Sequence, residues 1–187
     1  MKRQPFGFII ALVFAFFCLN ATAANNTPAP PDFAFPKKVS QQSEQKLKKA
    51  LRAGDDIEAL RALTDFALAQ GSISEQNLPK ALGMFSDIAS KLRSKAATSV
   101  LCLLKATVYN EIYSDNKWVY DQRSLPLSPL PADYTEWSGA QFRNVISQLC
   151  DSAMAAAPDL QRVPIGDYST LIVADAQTAV YFPTLFD

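Results

Sequence analysis

The chain of 187 residues contains no histidine. That absence removes Ser-His-Asp and Cys-His nucleophilic machinery. It also removes the commonest metal ligand and the usual general base near neutral pH. Charge bias is absent too, since 18 basic residues face 18 acidic ones. A balance of that kind points neither to nucleic acid nor to an anionic membrane. The Ser-x-x-Lys tetrad Ser43-Glu44-Gln45-Lys46 occurs without Ser-Asp-Asn or Lys-Thr-Gly partners. It therefore reads as the polar start of a helix rather than as an acylating site. No convincing sequence repeat is found, so the chain carries no tetratricopeptide signature. The residues imply no cofactor and no catalytic centre, and a non-enzymatic protein is expected.

What is present begins with an export signal. Lys2 and Arg3 precede the apolar run Phe6 to Leu19, and Ala21-Thr22-Ala23 is a small-x-small cleavage site. The run is short for a membrane span. Residues 1–23 are therefore read as a cleaved signal peptide, with no transmembrane segment after cleavage. Removing Lys2 and Arg3 leaves 16 basic against 18 acidic residues, a net of −2. Cys18 follows Phe17 rather than a small residue, so a soluble periplasmic or secreted product is expected over a lipid-anchored one. Export permits a disulfide between Cys102 and Cys150. Both also fall on apolar helical stripes, where a free cysteine packs as a small hydrophobe.

Residues 24–37, with four prolines between Thr27 and Lys37, read as an extended leader. Residues 38–187 read as an all-α domain, the N-terminal part of a longer protein. The first helix is expected from Ser40 to Ala53, with Ser40 or Ser43 as cap and Gly54 as left-handed terminator. Asp55 and Glu58 open the second helix as a capping box, and Gly71 ends it. These carboxylates with Asp56 are explained by capping rather than by acid–base work. The third helix opens near Leu78, where Pro79 fits a first turn. The fourth, Ala97 to Trp118, carries two apolar stripes, Ala97, Leu101, Leu104, Val108, Ile112 and Cys102, Ala106, Tyr109, Tyr113. Such girth marks a central helix. Short connections predict two antiparallel hairpins stacked as in a helical solenoid.

A long Pro-rich loop follows, with Pro126, Pro129 and Pro131. Asp133 or Thr135 is expected to cap a fifth helix through Phe142, Val145, Ile146, Leu149, Cys150 and Ala153, closed by Pro158. Tyr168 to Val173 and Thr178 to Phe182 suit a small β-hairpin around Asp175-Ala176-Gln177. Thr184 can cap a further helix, and the apolar stretch ending at Asp187 is expected to continue in the natural polypeptide. Lys37, Lys38, Lys46, Lys48, Lys49 and Arg52 make the first helix basic, which by default is a solvated face.

Trp118, Tyr120, Tyr134 and Trp137 flank the Pro-rich loop. Exposed, they form a platform for a glycan or peptide. Buried, they anchor the loop on the helices around it, and average burial of Trp and Tyr favours that reading.

Several segments in order, Phe35-Pro36-Lys37-Lys38-Val39, Ser72 to Asn77, Pro131 to Trp137, Val163 to Tyr168 and Tyr181 to Asp187, resemble the N-terminal region of large bacterial α2-macroglobulin-like proteins. The resemblance implies a helical module ahead of a series of macroglobulin β-sandwich domains in an exported, protease-trapping protein. It departs at the thioester, which forms within Cys-x-Glu-Gln. Here Cys102 precedes Leu103-Leu104-Lys105, and Cys150 precedes Asp151-Ser152-Ala153. The resemblance thus implies a scaffold or docking module whose partner is the downstream domains or another protein, with inhibition residing elsewhere. The alternative is a self-contained periplasmic binding module for a glycan or peptide. Neither reading involves nucleic acid.

Overall fold

The structure, a computed structural model, describes residues 35–74, 77–171 and 180–187. The expected signal peptide and most of the expected leader lie outside these residues. The described chain is all-α: α1 (Pro36–Ala53), α2 (Asp56–Ile73), α3 (Leu78–Ala89), α4 (Lys95–Asp115), α5 (Lys117–Asp121), α6 (Gly139–Met154) and α7 (Ala157–Leu160). Two 3-10 turns, Tyr134–Glu136 and Ile165–Tyr168, follow α5 and α7. No strand occurs among the described residues, only one antiparallel bridge between Pro164 and Thr184.

The first helix starts at Pro36 rather than Ser40, so Lys37 belongs to the helix and not to a leader. Proline suits that place because a first-turn N–H needs no intrahelical partner. The Phe35 carbonyl accepts the Lys38 and Val39 N–H groups at 3.0 and 3.1 Å. Ser40 and Ser43 are not caps but buried residues of the inner face. Ser40 Oγ accepts from Gln70 Nε2 at 2.7 Å. That bond joins the start of α1 to the end of α2, so the two helices run antiparallel. Gly54, at φ 74°, turns the chain between them.

Asp55 Oδ1 accepts the Glu58 N–H at 3.0 Å and caps α2 as expected. Gly71 does not end the helix. It is buried in the last turn, and Ser74 is the C-cap. Asp56 reaches across to the corner before α4, accepting from Arg93 N at 3.0 Å and Ser94 N at 2.7 Å. Ser94 Oγ then caps α4 by accepting from Ala97 N at 2.9 Å.

The expected central helix breaks at Asn116, and Trp118 falls in the separate short helix α5. The capping expected at Asp133 also differs. Asp133 Oδ1 accepts from Thr135 N at 2.9 Å and closes only the 3-10 turn. The long helix after it opens at Gly139 under a Ser138–Gln141 capping box. Pro158 does not terminate α6, which stops at Met154. It sits in the first turn of α7.

Packing is most extensive between α1 and α2 and between α4 and α6, with α3 wedged against α2 and α4. The main partner of the long helix α4 is thus α6, not its neighbour α3. One core gathers Leu47, Leu60, Leu63, Phe66, Phe85 and Leu101, with Tyr168 from the C-terminal 3-10 turn. A second gathers Leu78, Leu82, Ile112 and six aromatic rings. The turn of the expected β-hairpin lies outside the described residues. On its flanks Tyr168 is buried in a 3-10 turn, and Val180 and Tyr181 are helical.

Candidate functional site

The aromatic residues at the two ends of the Pro-rich loop do meet. Tyr109 and Tyr113 come from α4, Tyr120 from α5, Tyr134 and Trp137 from the end of the loop, and Phe142 from α6. Phe142 is the hub. Its ring centroid lies 4.7 Å from Tyr120, 5.0 Å from Trp137, 5.8 Å from Tyr113 and 6.3 Å from Tyr109. Tilted and edge-to-face geometries dominate, as ring quadrupoles favour.

Tyr120, Tyr134 and Trp137 are only 7, 9 and 4 % exposed. They anchor the loop and present no platform, which corrects the four-ring interaction surface. Trp118 is the exception at 69 % exposed. Two residues along a helix are about 200° apart. Tyr120 facing the cluster therefore sends Trp118 to the opposite side.

Polar side chains hold the loop in one path over these rings. Trp137 Nε1 donates to the Pro131 carbonyl at 2.7 Å. Gln141 Nε2 donates to the Pro126 carbonyl at 2.7 Å. Arg123 Nη1 donates to the Thr135 carbonyl and, at 3.0 Å, to that of Trp137, while its guanidinium lies 5.2 Å from the Tyr120 ring centroid. The residues beside these clasps, Leu125, Leu127 and Leu130, are exposed. Nearby, Tyr113 Oη donates to Asp121 Oδ1 at 2.9 Å, and Arg143 Nη1 donates to both groups, reaching Asp121 Oδ1 at 3.0 Å. The Tyr113 hydroxyl and the Arg143 guanidinium hold the Asp121 carboxyl below its usual range. Of these residues Arg123, Asp121, Gln141 and Arg143 escape sequence reasoning. Only Gln141 had a local signal, the Ser-x-x-Gln box with Ser138.

A second feature is a cleft of about 250 Å³ at the start of α1, lined by Phe35, Lys38, Val39, Gln42, Ser43, Lys46 and, from α2, Asp65. The Ser-x-x-Lys pair thus faces a real concavity. Burial pushes the Asp65 carboxyl up, against the opposing pull of Arg61 and Lys46. Asp55 meanwhile caps α2 as expected, whereas Asp56 accepts the Arg93 and Ser94 N–H groups some forty residues away, a long-range tie rather than a cap of its own helix.

Cys102 and Cys150 are separate, half-buried thiols. Burial pushes the Cys102 thiol up, away from thiolate character. Beside it Lys105 donates to Ser86 Oγ at 2.8 Å, and burial pushes its ammonium down. Among the described residues no group of three or more His, Cys, Asp or Glu side chains is placed to hold a metal ion. Among them, too, no helix is long and apolar enough to cross a membrane. Comparison with protein-family models, curated proteins and solved structures finds no match for this chain.

Proposed function

We propose that this chain is a non-catalytic docking module of an exported protein, engaging a protein partner through Trp118 and the outer side of the 122–131 loop. The observation that carries the reading is the contrast between the two sides of that loop. Its inner side is clasped by Trp137 and Gln141, while Leu125, Leu127 and Leu130 stay exposed. A fixed backbone presenting apolar side chains loses little conformational entropy on binding, and exposed apolar surface of this kind marks interaction sites.

The segment resemblance makes the partner the downstream domains of an α2-macroglobulin-like polypeptide. Protease trapping would then reside outside these residues, and α1 with α2 would be the first of a series of stacked hairpins. An antibody against residues 40–187 tests this on the native gene product in the exported fraction. The expected result is a band many times larger than 20.5 kDa. A band at the mature length, or no exported product, would overturn it.

A glycan- or peptide-binding reading retains one favourable observation, the exposure of Trp118. Titration with cell-surface glycans, read by tryptophan fluorescence, separates the two. A saturable shift that Trp118→Ala abolishes would favour it over the docking reading.

A further inference from the structure

The outer face of α1 carries cations at both of its ends, with neutral glutamines between them. At 100° per residue, Lys37, Lys48, Arg52, Lys38 and Lys49 fall within an arc of about 120°, interleaved with Gln41 and Gln45. This arc lies opposite the buried Ser40, Ser43, Leu47 and Ala50. All five cations are exposed. The one acidic residue of the helix, Glu44, sits at the edge of the arc, 2.6 Å from Lys48. The asymmetry is strong on the scale of the whole chain. Residues 36–53 hold six basic residues and one acidic, whereas residues 54–187 hold ten basic and sixteen acidic. Near-neutral net charge conceals this segregation.

We infer that the outer face of α1 is a peripheral docking surface for an anionic phospholipid bilayer. Shape as well as sign selects that occupant. The cations are spread along a straight helix of 18 residues, about 27 Å long. Lys37, Lys48, Lys49 and Arg52 are exposed and line no part of the cleft beside α1, whereas Lys38 stands at its rim. A flat strip of spaced charges matches a flat field of headgroups, where each nearby Lys or Arg adds a similar increment. Phe35, 67 % exposed, stands at the N-terminal end of the strip, where an aromatic ring can enter the interfacial layer. The cleft that Lys46 and Asp65 line borders the strip at Phe35 and Lys38, and its acidic Asp65 makes it no site for an anion. This surface is separate from the Pro-rich loop, and the inference does not rest on the docking reading above.

Vesicle flotation of the full chain tests the inference, comparing phosphatidylglycerol-containing with pure phosphatidylcholine vesicles. The ratio of the two affinities is read, so that any apolar contribution of Phe6 to Leu19 cancels, and the charge of Lys2 and Arg3, common to every variant, drops out of the comparison between variants. Lys37→Gln/Lys49→Gln/Arg52→Gln is compared with a charge-matched control away from α1, Lys91→Gln/Lys117→Gln/Arg162→Gln, and helix content by circular dichroism confirms that both fold. The wild type is expected to prefer the anionic vesicles and to lose that preference between about 50 and about 300 mM salt. The α1 triple variant is expected to lose more than about tenfold of the ratio, and the control less than about twofold. No preference for anionic vesicles would overturn the inference, as would equal losses in the two variants. So would binding of soluble polyglutamate in place of vesicles, which would assign the strip to an acidic protein.

Discussion

Gly54 is the residue on which the α1–α2 pair turns. Its φ of 74° lies where a Cβ is crowded by the backbone, and a Cβ built there would come within 2.0 Å of the Arg93 guanidinium. Gly54→Ala should lower stability by roughly 1–2 kcal/mol from the backbone alone, read from the midpoint of urea unfolding. Adding Arg93→Ala should recover only the crowding part. Full recovery would show that the left-handed conformation costs nothing here. Two carboxylates give pH signatures of opposite sign. The folded pKa of Asp121 is held below its ordinary 3.8 by the Tyr113 hydroxyl and then Arg143. Its contribution is present above that ordinary value and is lost as pH falls through the folded one. Asp121→Asn should therefore flatten the acid limb of the stability curve below about pH 4. Asp65 has its pKa raised by burial, so its cost to folding grows as pH rises past the ordinary 3.8 and is fully present above the folded value. Asp65→Asn should raise stability near pH 7, with the gain vanishing near pH 3. A gain that persisted in acid would assign it to packing.

At the scale of elements, α6 shows what local pattern can and cannot reveal. The spacing of Phe142, Val145, Ile146 and Leu149 gives the helix and its inner stripe, since both depend only on periodicity. The sequence pattern places its start too early because Asp133 and Thr135 are good caps in isolation. In the folded chain they close a 3-10 turn, and Ser138 with Gln141 caps the helix. The break at Asn116 has no strong sequence signal, because apolar positions continue through it as Tyr120. The path of the Pro-rich loop is set by Arg123, Trp137 and Gln141 acting on carbonyls 6 to 15 residues away. Such pairings appear only once helices have packed, which is why three of the four flanking aromatics could be read as a platform. Phe142, fully buried among four rings, should be the most sensitive position of α6. Phe142→Ala should cost about 3–5 kcal/mol, and Ser138→Ala, which removes only the cap, about 1 kcal/mol. Denaturant midpoints give both, and a cost for Phe142→Ala near that of the cap would mean that the ring cluster collapses to fill the space.

For the molecule as a whole, the all-α class was legible because five amphipathic stretches repeat at threes and fours. The partner of each helix was not, because α4 carries apolar residues on most of its girth and offers no single face to assign. That same property joins the two cores. On α4, Ala97, Val100 and Leu101 enter the first core, and Tyr109, Ile112 and Tyr113 the second. On α3, Ala81, Phe85 and Ile88 face the first, and Leu78 and Leu82 the second. Neither core can therefore lose its packing while both shared helices remain fixed in the other, and unfolding should be one cooperative event. The sequence holds two tryptophans, so Trp118→Phe leaves Trp137 as a reporter within the second core, while helix circular dichroism reports on both. In that background Leu63→Ala, in the first core, should cost about 2–5 kcal/mol and shift the two probes together, although it touches no ring near Trp137. A fluorescence transition that stayed in place while the circular dichroism transition moved would separate the cores into two folding units. The shared helices would then be joined in sequence but not in energy, and the loop and the cationic face of α1 would belong to halves of the molecule that open independently.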